Sequence, residues 1–250
     1  MEDTNLRQRV FSSLDEVFAT MRECSEFIIL RNYEELSNET YYMNGYDDIN
    51  FLCASTKEMK RELGVQRDIY WKSPNHFFIN IKGSQVKIGL HYVGDGYYDI
   101  RWEKAMIESR VSNGSYDVMN DENYFYSLIY HALLQKRQFS DEYRRRLTEM
   151  GKGLGIDLQD KVDFYECLFK YMKEKGYKVD YPQDPTVPIN YGHVSEEILT
   201  NSFGWKTRRL KYKVKMKGIG GLNKLSKMIG GYCSNNIPFC SFVLCGGMTA

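Results

Sequence analysis

The chain has 250 residues, room for one large domain or two small ones, and 42% of them are apolar, enough for a real core. With 27% charged residues and a formal net charge of +1, the composition fits a soluble protein and gives no whole-molecule signal for a polyanion partner. No run of about 18 apolar residues exists to cross a membrane, and polar Met1 to Asn5 has no apolar stretch behind it, so no signal peptide is expected.

Apolar Leu6, Val10, Leu14, Val17, Phe18 and Met21 have helical spacing and predict a helix from Leu6 to Arg22. Glu26 to Leu30 reads as a short buried strand, followed by a polar, turn-rich stretch from Asn32 to Tyr46. Asp48 to Cys53 is a second strand, and Ser55 or Thr56 can cap a helix through Leu63. His76 to Ile81 and Gln85 to Val93 read as a hairpin around Lys82-Gly83-Ser84. Tyr98 to Arg110 is expected to be helical. From Asp121 the pattern is helical only, with helices to Lys136, from Ser140 to Met150, and from Leu158 to Lys175. The proline-bearing stretch from Lys178 to Tyr191 reads as an extended linker.

Cys24, Cys53 and Cys167 lie singly in apolar surroundings and read as buried free thiols. Cys233, Cys240 and Cys245 have no histidine nearby and make a poor zinc pattern, so a reduced, cytoplasmic setting is expected. The 20 tyrosines and 13 phenylalanines could line a sugar or nucleotide site, but read first as core.

The sharpest local feature is Asp47-Asp48-Ile49-Asn50-Phe51-Leu52. Alternate side chains on a strand share a face, so Asp48 and Asn50 point one way while Ile49 and Phe51 point into the core. Two oxygen ligands about 7 Å apart along a strand suit a hard cation such as Mg²⁺. On the later strand Val86, Ile88 and Leu90 face the core, which leaves Lys87, Gly89 and His91 on the other face. Arg31 at a strand end could meet a phosphate. His131, mid-helix, reads as a packing residue, and Gly94-Asp95-Gly96 as a turn.

The order of helix, strand ending in Leu30-Arg31-Asn32, loop, Asp48-Ile49-Asn50 strand, helix and hairpin resembles the polymerase-β-type nucleotidyltransferase superfamily. More narrowly, it resembles the nucleotidyltransferase-like proteins of bacterial capsule and lipopolysaccharide gene clusters. Val93 to Asp99 with Trp102, and Asn123 to Leu133, are similar to the same group, so that the resemblance spans about residues 25 to 147. It implies transfer of a nucleotidyl group from a nucleoside triphosphate to a sugar or sugar phosphate in surface-glycan synthesis. Asp48 and Asn50 would hold Mg²⁺ with Asp47 assisting, and Arg31, Asn32 and His91 would face the nucleotide. The family's second carboxylate is Asn50 here, and Gly89 falls where a third is expected. The alternative is a catalytically degenerate member of the fold that binds a ligand without metal chemistry.

The expected fold class is therefore α/β (α+β). A small mixed sheet with flanking helices of nucleotidyltransferase type occupies 1–115, a helical domain 116–177, a linker 178–203 and a basic tail 204–250. Lys206 to Lys227 carries nine Lys and Arg and no acid, against a whole-chain charge of +1, so the remainder is about −8. That segment suits an anionic membrane surface or RNA, or pairing with the acidic body.

Overall fold

The computed structural model describes residues 9–43, 47–67, 73–136, 139–180, 184, 187, 189 and 194–200. The chain divides into two units, residues 1–202 and 203–250; the second, with the basic tail and its three cysteines, lies outside the described residues.

The first unit is mixed α/β. Its first element is a strand, β1 (Val10–Phe11), and the helix α1 runs Leu14–Cys24. The expectation of a helix from residue 6 gives way here because Ser12 and Ser13 stop it. Ser13 caps α1 by accepting from the Glu16 N–H, and the Glu16 carboxylate accepts from the Ser12 N–H at 2.7 Å. That reciprocal cap fixes the helix start and leaves Val10 and Phe11 extended, paired with β5. The elements that follow are β2 (Phe27–Ile29), a 3₁₀ turn (Tyr33–Ser37), α2 (Glu39–Met43), β3 (Asp48–Cys53), α3 (Lys57–Glu62), β4 (Gln66–Arg67), β5 (His76–Ile81) and β6 (Ser84–Tyr92). The β5–β6 turn is made by Lys82 and Gly83, both at positive φ (51° and 83°), the backbone that a two-residue hairpin loop requires.

Next come α4 (Ile100–Glu108), capped by Asp99, then a hairpin of β7 (Val111–Asn113) and β8 (Tyr116–Val118) that the sequence pattern does not reveal. α5 (Asp121–Tyr130) is capped by Asn120, and continues as a π-helical turn over His131–Gln135. α6 (Asp141–Gly153) is capped by Ser140 as its sequence suggests. α7 (Lys161–Lys175) starts on a box formed by Asp160 and Asp163 and ends at Gly176, whose φ of 71° favours glycine.

Among the described residues eight strands form one sheet in the order β1-β5-β6-β3-β2-β8-β7, with β4 also on β5. β3 is central, antiparallel to β2 and parallel to β6. Alternation divides its side chains between two cores. Ile49, Phe51 and Cys53 join Val86, Ile88 and Leu90 beneath α1 and α3, against Phe18, Met21 and Met59. Leu52 joins Ile28 and Leu30 on the opposite face, against Trp102, Phe125, Leu128, Leu147 and Phe164. Each fully buried side chain of this size contributes about 1.5–3 kcal/mol.

The expected boundary at 115/116 falls inside this arrangement. β8 (116–118) pairs with β2, while α5 to α7 pack on one another and share a core with Leu30 and Leu52 of the sheet and with α4, the helix that lies against β2 and β3. Described parts of the stretch expected as a linker are tied down: Val179 pairs with Leu199, and Val194 and Ile198 are buried. Of the three thiols, Cys53 is buried while Cys24 and Cys167 are half-buried, and all are free. Among the described residues no helix is long and apolar enough to cross a membrane.

Candidate functional site

Strand register assembles the site. Asn50 lies opposite Gly89, Asp48 opposite Lys87 and Leu52 opposite His91. On the next strand His76 lies opposite Gly89. Partners in register share a face, so Asp48, Asn50, Gly89, His91 and His76 come together on the face that carries α4 to α7.

Asp48, whose side chain is 31% exposed, has its Oδ2 3.3 Å from His76 Nε2. Burial works against its charge. The hydrogen bond to His76 and the nearby Arg31 charge outweigh burial and hold the carboxyl well below the usual carboxylate range. Arg31 follows β2. Its Nη1 donates to Tyr97 Oη at 2.9 Å, and the guanidinium lies 5.8 Å from that ring. Burial disfavours its charge as well, but Tyr97, Tyr98 and Asp48 more than offset it and raise it above its ordinary value. Among the described residues no carboxylate forms an ion pair with Arg31, and a guanidinium has five N–H donors. Most of its hydrogen-bonding capacity is therefore unspent.

Asn50 is 2% exposed. Its Nδ2 donates to the Asp48 carbonyl at 3.3 Å, while Oδ1 is buried with no hydrogen-bond partner among the described residues. The amide lies directly on Gly89: a Cβ there would sit 3.1 Å from Asn50 Cγ and collide with Oδ1. The position where the resemblance asks for a third carboxylate is thus filled by the side chain at the second.

Behind this face is a set of buried polar groups. His91, 1% exposed, has Nδ1 2.8 Å from Asp95 Oδ2, and its ring lies 3.9 Å from that of Tyr97. Asp95 also accepts from Asn75 Nδ2 at 3.0 Å and from the Tyr97 N–H at 2.8 Å. Glu103, fully buried on α4, accepts from the Gly94 N–H at 2.6 Å and the Tyr98 N–H at 3.0 Å. Burial, then the charge of Asp95, pushes Glu103 up to about 8. Together Asp95 and Glu103 fix the 93–99 loop, and so place Tyr97 against Arg31. From the helical layer, His131 Nδ1 lies 2.9 Å from Gln135 Oε1, and Gln135 Nε2 donates to the Tyr97 carbonyl at 3.1 Å.

Of the residues singled out from sequence, Asp48, Asn50 and Arg31 come together. His91 lies beneath them, committed to Asp95. Asp47 is half-buried at the entrance to β3. Asn32 turns elsewhere: at φ 57° it donates through Nδ2 to Tyr41 Oη and accepts from Arg146 at 2.9 Å. His76, Tyr97 and Gln135 escape sequence reasoning, because each reaches the site only through pairing or loop closure. The one signal for His76 is its register, two strands from Asn50.

Mg²⁺ fits poorly with these donors. Among the described residues no group of three or more His, Cys, Asp or Glu side chains is placed to hold a metal ion. A separate cavity of about 700 Å³ is lined by Tyr33, Glu34, Tyr124, Arg145, Arg146 and Met150 among others. Within it Arg146 lies 2.8 Å from Glu34, and Tyr124 Oη is bonded to both.

Compared with protein-family models, curated proteins and solved structures, the chain finds no match.

Proposed function

We propose that the chain is a ligand-binding protein of nucleotidyltransferase type that has given up two-metal chemistry, and that it binds a phosphate-bearing molecule at Arg31. The observation that carries this reading is the charge balance of the site. A single carboxylate, Asp48, is engaged by His76, and beside it a half-buried guanidinium has no ion pair among the described residues. A guanidinium with most of its N–H donors unspent can take further acceptors, so an anionic ligand would be held there. Two further features support the reading. Asn50 lies opposite Gly89, neither supplies a carboxylate, and a Gly89 side chain would meet Asn50. The planar guanidinium suits phosphate oxygens.

A second reading keeps the enzyme: nucleotidyl transfer from a nucleoside triphosphate to a sugar acceptor, with Mg²⁺ on Asp48 and Asn50. The intact, charged and partly exposed Asp48 favours it. The anionic-membrane or RNA role proposed for residues 206–227 falls outside the described residues.

Calorimetry with adenosine and uridine monophosphates tests the first reading. Wild type is expected to bind at least one of them, and Arg31→Gln to weaken that binding more than about tenfold, the worth of a charged hydrogen bond. Binding that survives Arg31→Gln unchanged, or no binding of either nucleotide by wild type, would contradict it.

A further inference from the structure

The hydrogen bonds around Gln135 determine more than packing. The Tyr97 carbonyl can only accept, so the Gln135 atom facing it is the amide nitrogen. The other end of that amide, facing His131 Nδ1 at 2.9 Å, is then the oxygen, which can also only accept. His131 Nδ1 must therefore carry the ring proton, and Nε2 is left as a bare acceptor. Among the described residues no partner meets Nε2. His131 is 7% exposed, and it is joined to the site through Gln135, which bonds the Tyr97 carbonyl, and through the Tyr97 hydroxyl, which accepts from Arg31. Burial, then the Arg31 charge, holds the imidazole well below its usual value and so neutral. The residue opens the π-helical turn His131–Gln135, the kind of irregularity often found at functional sites. Tyr97 joins the two halves: its hydroxyl accepts from Arg31 while its carbonyl orients Gln135.

The site therefore offers a cationic donor, Arg31, beside acceptors: neutral His131 Nε2 and the Asp48 carboxylate. A bare phosphate brings no sugar hydroxyl to these acceptors. We propose that His131 is a ligand-recognition residue, whose Nε2 accepts a hydrogen bond from a hydroxyl of the molecule that Arg31 holds by its phosphate. The ligand class is then a hydroxyl-bearing phosphate ester, a sugar phosphate or the ribose phosphate of a nucleotide. This rests on the phosphate-binding reading and narrows it.

The probes are ribose 5-phosphate and inorganic phosphate, titrated calorimetrically into the full chain. Wild type is expected to bind ribose 5-phosphate about tenfold more tightly than phosphate, roughly what one or two hydrogen bonds supply. His131→Phe should lower the affinity for ribose 5-phosphate toward that for phosphate and leave phosphate binding unchanged. His131→Gln, which keeps an acceptor, should restore part of the preference. Gln135→Leu, which frees the tautomer without touching the ligand, should lose part of it. Nitrogen NMR of the labelled imidazole should show Nδ1 protonated and Nε2 bare in wild type, and lose that bias in Gln135→Leu. Equal weakening of both probes by His131→Phe, no effect on either, or a proton on Nε2 would overturn the role of His131 while leaving the Arg31 site standing. Wild type that binds neither probe would overturn both.

Discussion

The two faces of the sheet are made by the same strands and do different work. Under α1 and α3, Ile49, Phe51, Val86, Ile88 and Leu90 pack within one apolar cluster. On the other face the alternate residues of β3 and β6 include Asp48, Asn50, Gly89 and His91, with His76 from β5 and Arg31 from the end of β2. A buried polar group is expensive unless it is bonded, and Asn50 Oδ1 has no partner among the described residues. The first face behaves as pure scaffold. The second carries a stability cost, and function is sought where such a cost is maintained.

Removing one large side chain from each face should expose this contrast most strongly. Phe51→Ala on the apolar face is expected to cost about 3–5 kcal/mol in urea unfolding, through lost burial and the cavity left behind. Asn50→Ala on the polar face should cost far less, because it also deletes an unpaired carbonyl. Equal losses would mean that Asn50 is an ordinary packing residue. A smaller effect is expected at Gly89, where a Cβ would collide with Asn50 Oδ1. Gly89→Ala should destabilise by about 1–3 kcal/mol. Asn50→Ala should relieve that, making the pair non-additive in a double-mutant cycle; strict additivity would show that the two positions do not touch.

The third effect is read from a slope. The ordinary value for Glu103 is 4.5, and the folded protein raises it to about 8. Between those limits the folded state keeps a proton that the unfolded state releases, so stability falls as pH rises from about 4.5 to about 8 and levels off above. Glu103→Gln should flatten that segment of the curve, whatever it does to stability at any single pH. An unchanged slope would show that Glu103 is charged in the folded protein at neutral pH.

Much of this was legible in the residues themselves. Strict alternation through Asp48-Ile49-Asn50-Phe51 assigns both faces of β3, and Val86, Ile88 and Leu90 do the same for β6, because strand parity is a local property. Lys82-Gly83 marks the hairpin, since few residues accept two successive positive φ angles. The failures share a cause. The helical spacing of Leu6 to Met21 hides β1, whose extended form depends on pairing with β5 and on the Ser12-Ser13 to Glu16 cap. His76 carries no local signal, since only the register of three strands brings it to Asp48. The change in pattern after residue 120 suggests a new domain. α5 to α7 do pack on one another, but they also share a core with Leu30 and Leu52 of the sheet, a long-range link that a one-dimensional pattern does not carry.

The central claim is that this site binds its ligand through Arg31 and without a metal. Its most direct test is calorimetric titration of a nucleoside triphosphate into wild type, once with excess Mg²⁺ and once with EDTA. The account predicts binding in EDTA at least as tight as in Mg²⁺, with no effect of Asp48→Asn on the difference between the two. Binding that appears only with Mg²⁺ and disappears in Asp48→Asn would contradict it and restore the metal-dependent transferase.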